Sequence, residues 1–129
     1  MTDAPSLAAV LASGEPERLY SGLSVLVSTA TEATPCVALA TFKALALMLD
    51  PGSAADASEL PAAGRDRFRR SLAELIETAR DLDTVRVYAC SASVETMAIA
   101  AAEVESRLDG VMSTPRFLRA ADGARLIFV

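Results

Sequence analysis

Histidine is absent from this chain. That absence removes every Ser-His and Cys-His catalytic pair, together with the commonest metal ligand. Cysteine is scarce as well: two residues, Cys36 and Cys90, with no CxxC spacing, exclude a disulfide framework and leave almost no route to a zinc site. Tryptophan is missing and aromatics make up 5% of the residues, so a sequence that is 52% hydrophobic has to build its core from aliphatic side chains. Long apolar runs are also lacking. The longest uncharged stretch, residues 19–31, falls short of the about 20 residues a membrane span needs, and the opening Met-Thr-Asp-Ala-Pro has no basic segment ahead of an apolar one. A soluble cytoplasmic protein without a membrane partner is expected.

The net charge of -5 and pI near 4.7 come with scattered basic residues, which argues against a nucleic-acid partner because phosphate binding needs a basic footprint. One cluster, Arg65, Arg67, Arg69 and Arg70, is interleaved with Asp66 and Phe68. It reads as the solvated start of a helix, with docking of an acidic partner as the alternative.

At 129 residues the chain suits one domain, 1–129. Residues 6–12, SLAAVLA, form a continuous apolar run closed by Ser13-Gly14, the pattern of a strand buried on both faces. Pro16 and Glu17 then open a helix over residues 16–32, with Leu19, Leu23, Leu26, Val27 and Ala30 on one side. Residues 34–42 predict a second strand running into a short helix at 44–49; a single helix over 35–49 is the alternative. Residues 50–64 carry Pro, Gly, Ser and Ala without periodicity and predict a long surface loop, a mobile connector or a lid. Phe68, Leu72, Leu75, Ile76, Ala79 and Leu82 make the stripe of a helix ending near Asp81, followed by a third strand at 85–90, VRVYAC.

Ser91 or Ser93 caps the next predicted helix, whose inner face is Val94, Met97, Ala98, Ala101, Val104 and Leu108 and which Gly110 ends. A short fourth strand at 111–113, a brief helix from Thr114-Pro115 through Ala121 and a fifth strand at 124–129 complete the chain. Strands alternating with helices imply an α/β domain with an open, mostly parallel five-stranded sheet and helices on both faces, of flavodoxin-like type in the order 2-1-3-4-5.

Ligands of such sheets bind beyond the carboxyl ends of the strands where the strand order reverses. In the order 2-1-3-4-5 that point lies between the first and third strands, at Ser13-Gly14-Glu15 and Cys90-Ser91. A thiol ending a strand just before a helix gains thiolate character from the first amide groups of that helix and needs no base. Cys90 is therefore the candidate nucleophile, against the ordinary fate of a cysteine as a small buried hydrophobe. Cys36 sits at the far end of its strand and reads as packing, out of reach of Cys90. Ser13, Gly14, Ser91 and Ser93 offer hydrogen bonds to a substrate, or to a small molecule or nucleotide in a third reading; plain turn and capping duty is the alternative.

Other users of this architecture fail at named positions. Ser13 and Cys90 stand where a receiver domain needs acids, Glu15 and Glu17 would repel the phosphate of a flavodoxin cofactor, and Thr96 stands where a low-molecular-weight cysteine phosphatase needs arginine.

The ordered segments SLAAVLASGEPERLYSGL, ATFKALALML, VRVYACSASVETMAI and DGVMSTPRFLRAADGARLIFV resemble the DsrE/DsrF-like family of sulfur-relay proteins, VYACSAS being the most specific part. The resemblance implies a flavodoxin-like domain that assembles as a homotrimer or homohexamer and carries sulfane sulfur as a persulfide on Cys90. It further implies a sulfur donor or acceptor, either a protein thiol of the TusA-like or rhodanese-like kind or a small sulfur compound, and no cofactor. A non-catalytic oligomeric binding or scaffold subunit of the same fold is the alternative.

Overall fold

Five short strands, all paired in parallel, make one sheet in the order β4-β3-β2-β1-β5 in the computed structural model, which describes residues 4–52 and 60–129. Along the chain the elements are β1 (Leu7–Leu11), α1 (Pro16–Ala30), β2 (Cys36–Ala40), α2 (Phe42–Leu49), α3 (Ala62–Asp81), β3 (Val85–Cys90), α4 (Ser91–Thr96), α5 (Ala101–Arg107), β4 (Val111–Met112), α6 (Thr114–Ala120) and β5 (Arg125–Phe128). The expected α/β layering is present, with helices on both faces.

The strand order differs from the expected 2-1-3-4-5. β2 lies between β1 and β3, with Cys36 opposite Leu7 on one side and Val85 on the other, while β5 returns to pair with β1. The physical reason is in the side chains. Every residue of β2, CVALA, is buried, as only a central strand allows, whereas β5 is mostly exposed and β4 is two residues long, as suits the edges.

This order dictates how the helices are shared out. Three successive right-handed crossovers step from β1 to β4 in one direction and leave α1 to α5 on a single face. There Leu11, Ala38, Val85 and Val87 from the sheet meet Leu19, Leu23, Leu45, Met48, Leu72, Ile76 and Val104 in the main core. The return from β4 to β5 carries α6 alone to the second face, where its Phe117, together with Ala121, covers Ala8, Val37, Leu39 and Cys90.

Several boundaries have local causes. The expected 16–32 helix stops at Ala30, and Ala33 takes φ 62 just beyond it. The segment 34–42 is strand rather than part of one long helix. α3 begins at Ala62, inside the expected loop, with the Gly64 N–H donating to the Pro61 carbonyl at 2.8 Å and Arg65 Nε donating to the Leu60 carbonyl at 3.0 Å. The expected lid falls partly on residues 53–59, outside the described residues.

The single helix expected from Ser91 to Gly110 is broken into α4 and α5. Ala98 takes the left-handed conformation at φ 53, the Ala98 N–H donates to the Glu95 carbonyl at 3.2 Å and the Ile99 N–H to the Val94 carbonyl at 3.0 Å. That bond pair is a Schellman stop, sealed by Val94 and Ile99 packing on the main core. Periodicity runs straight through such a stop when alanine rather than glycine fills the left-handed position.

Candidate functional site

The new strand order moves the switch point of the sheet and keeps Cys90 at it. A switch-point crevice opens between neighbouring strands whose outgoing connections pass to opposite faces. Those strands are β3, continued by α4 on the helix-rich face, and β4, continued by α6 on the other. Cys90 ends β3 opposite Met112, the last residue of β4, so its neighbours across the crevice are Ser113 and Thr114. The expected neighbours, Ser13 and Gly14, follow β1; with β2 intervening, β1 lies two strand spacings from β3, about 10 Å.

Cys90 occupies the cap position of α4 with φ -65 and ψ 125, and is 5% exposed. Burial by itself pushes this thiol up, because a charged sulfur loses its water. The amide and hydroxyl of Ser93, the amide of Ala92 and the hydroxyl of Thr114 act in the opposite direction and prevail, leaving the Cys90 thiol below its ordinary value. Its sulfur makes no regular cap bond, so these donors act as a converging neutral set rather than as one short contact. Two helices supply them: α4 begins at the sulfur, where β3 ends, and α6 begins beside it.

Ser93 is fully covered, and its oxygen accepts the Phe42 N–H at 3.0 Å. Phe42 opens α2 with φ 43, a left-handed conformation that a bulky side chain rarely adopts, and its ring is 48% exposed. Ser91 is half-buried. Ser13 is half-buried, its oxygen accepting the Glu15 N–H at 3.1 Å, which is turn duty, and Gly14 is exposed. A Cβ on Gly14 would come within 2.8 Å of the Lys43 side chain, so the glycine leaves room for the first turn of α2. Of the four expected binding residues, Ser91 and Ser93 lie in the first turn of α4 next to Cys90, and Ser13 and Gly14 lie beyond the end of β1, where the Ser13 N–H donates to the Val129 carbonyl at 3.0 Å.

Cys36 is buried, its thiol donating to the Thr34 carbonyl at 3.5 Å, and burial pushes its pKa up. It begins β2 opposite Val85 and belongs to the main core, whereas Cys90 lies at the other end of β3 on the second face. No bridge between them forms, as expected, because they lie at opposite ends of neighbouring strands and on opposite faces.

Thr114 and Phe42 were not singled out by the sequence. Thr114 read only as a helix start; the strand-end rule applied to the observed order would have found it. Phe42 carried no signal, since a left-handed phenylalanine has no sequence mark. Among the described residues no group of three His, Cys, Asp or Glu side chains is placed to hold a metal, and no helix is long and apolar enough to cross a membrane. Neither protein-family models nor curated proteins yield a match to this chain.

Proposed function

We propose that the chain is a sulfur-relay protein that carries sulfane sulfur as a persulfide on Cys90. One observation carries the reading: a thiol at the switch-point crevice whose pKa is lowered, despite its burial, by the neutral donors of Ser93, Ala92 and Thr114. Thiolate is the nucleophilic form, so a lowered pKa raises the reactive fraction at neutral pH without a base, in a chain that has no histidine to serve as one. The Cys90 thiolate attacks the outer sulfur of a donor persulfide, R–S–SH. The donor S–S bond breaks, the Cys90 S–S bond forms, and R–S⁻ leaves. An acceptor thiolate then takes the same sulfur from Cys90–S–SH and returns Cys90 as thiolate. The donor and acceptor are protein thiols of a TusA-like or rhodanese-like kind, or small sulfur compounds, in keeping with the resemblance to DsrE-like relay proteins.

The test is mass spectrometry of the native protein after exposure to polysulfide. An adduct of one sulfur atom, lost on reduction and absent from Cys90→Ser, supports the relay; an unmodified native protein contradicts it.

A second reading, an oligomeric binding or scaffold subunit, is favoured by different observations. Cys90 is itself 5% exposed, while Leu126 and Phe128, on the same face of the sheet as Ala8 and Val10, are 53% and 73% exposed. An apolar strip of that kind beside a single covering helix suits a subunit contact in a homotrimer or homohexamer. Light scattering on the purified chain distinguishes a closed assembly from a monomer, and alkylation of Cys90 within it separates a scaffold from a carrier.

A further inference from the structure

The two edges of the sheet are finished differently. β4 is two residues long, which limits what can pair with it, whereas β5 runs four residues, Arg125–Phe128, with one charge and neither proline nor lysine. An apolar edge of that kind is an open template for another strand.

The ladder to β1 fixes which backbone groups of β5 are free. The Arg125 N–H donates to the Ser6 carbonyl and the Val129 N–H to the Val10 carbonyl, both at 2.9 Å, while the Val129 carbonyl accepts from Ala12 at 2.7 Å. Residues 125, 127 and 129 therefore turn their backbone groups to β1, and Leu126 and Phe128 turn theirs outward. Two donors and two acceptors are left without a partner among the described residues.

These four groups are self-complementary. In an antiparallel pair two opposed residues exchange both of their bonds, so Leu126 set against the Phe128 of a second copy, and Phe128 against its Leu126, uses all four on each side. The two-fold axis then passes at Ile127. An axis at Leu126 would instead call on Ala124, whose N–H is already given to the Ala121 carbonyl at 2.9 Å, and would leave the Phe128 carbonyl unpaired.

The side chains agree with that register. Leu126 and Phe128, exposed on the second face, become cross-strand neighbours, an aliphatic and aromatic pair made twice. On the helix-rich face each Arg125 arrives opposite the other copy's Val129. Beside Val129 and Phe128 lies a cleft of about 420 Å³ that Glu17, Arg18 and Ser21 of α1 also line, Glu17 being less exposed than Arg18. The incoming guanidinium meets the Glu17 carboxylate there, and the two Arg125 side chains are not opposed to one another. Val25, one turn beyond Ser21 on α1 and also exposed, widens the apolar contact.

We propose that this edge is the contact with a second copy of the chain: β5 pairs antiparallel with its symmetry mate across a two-fold axis at Ile127, and each Arg125 reaches the other copy's Glu17. The proposal rests on the oligomeric reading above and names its contact; it does not involve Cys90. An interface with a two-fold axis belongs to a dimer or to a homohexamer, and not to an isolated homotrimer.

The experiment follows backbone amide exchange of the wild-type chain by NMR against protein concentration, with light scattering on the same samples. The Leu126 and Phe128 amides are expected to exchange freely in dilute protein and to become protected in proportion to the associated fraction. The Arg125 and Val129 amides, already given to β1, stay protected throughout. A trimer, or an assembly in which the Leu126 and Phe128 amides remain unprotected, keeps the oligomeric reading and overturns this contact; a monomer at every concentration overturns both. Two variants sharpen the register. Leu126→Pro removes an outward N–H and leaves the ladder to β1 intact, so it is expected to abolish association with an unchanged circular dichroism spectrum. Glu17→Arg is expected to raise the Kd for association about tenfold, the contact being made twice, and adding Arg125→Glu to restore it. Association that survives Leu126→Pro, or a Kd indifferent to Glu17→Arg, contradicts the proposal.

Discussion

The two faces of the sheet start from the same five strands and are finished differently. One face is covered by α1 to α5 and packs a continuous aliphatic core in which Leu11, Leu23, Leu45 and Leu72 are fully buried. The other has, among the described residues, α6 alone, anchored by Phe117, and leaves Leu118, Leu126 and Phe128 about half exposed or more. The difference follows from one topological event, the return of the chain from β4 to β5. That event also places the switch point of the sheet at Cys90. Buried aliphatic packing is concentrated where the crossovers agree in direction, and the Cys90 thiol and the exposed apolar side chains gather where one crossover disagrees.

Substitutions on matched positions sharpen this contrast, taken from the largest effect down. Phe117→Ala removes the one large anchor of α6 and is expected to destabilise by about 3–5 kcal/mol. It should also speed alkylation of Cys90, because Phe117 and Cys90 share the second-face cluster. Leu45→Ala, on the helix-rich face, is expected to cost about 2–5 kcal/mol and to leave the Cys90 rate as it was under native conditions. Urea unfolding gives the first quantity and timed alkylation the second. Equal rates in the two variants would break the claim that α6 guards the thiol.

Ala98→Gly acts in the favourable direction. The alanine holds a left-handed conformation at φ 53, and glycine adopts it without the Cβ clash, so the urea midpoint should rise by the equivalent of about 0.5–1 kcal/mol. An unchanged or lower midpoint would mean that the stop between α4 and α5 is held by something other than that residue. Phe128→Ser is the smallest: with 73% of the residue exposed, stability of the isolated chain should stay within about 0.5 kcal/mol, while any self-association measured by light scattering weakens. A large loss of stability with no change in association would remove the second face as a contact surface.

What could be read from the sequence was local, and what could not was relational. Strand-forming residues and an apolar run located the strands at 85–90 and 6–12 to within a residue, and the proline and acid at Pro16 and Glu17 marked the start of α1 correctly. Which strand lies beside which is decided by burial on both faces, and the all-buried CVALA of β2 was a signal of centrality that strand spacing alone does not reveal. Cys90 stays at the switch point in spite of the changed order because it ends β3 whichever strand adjoins it. Its partners did not survive: Ser13 and Gly14 were expected through a neighbour that β2 displaced, and Thr114 replaced them. Ser93 was found as a residue and not as a role, since nothing in SASVET says that its oxygen is engaged by an amide 51 positions away.

The two cysteines carry the contrast into pH. Folding lowers the Cys90 pKa, so its contribution to stability is present above the ordinary thiol value and is lost as pH falls through the folded-state value. Burial raises the Cys36 pKa, so its contribution holds below the ordinary value and is lost as pH rises through the folded-state one. The most direct measurement is therefore the alkylation of both cysteines against pH, resolved by peptide mass spectrometry, in native protein and in urea. An activated crevice thiol requires the native Cys90 profile to lie at lower pH than in the unfolded chain, with Cys36 displaced to higher pH. A native Cys90 profile that coincides with the unfolded one, or follows Cys36 upward, contradicts it.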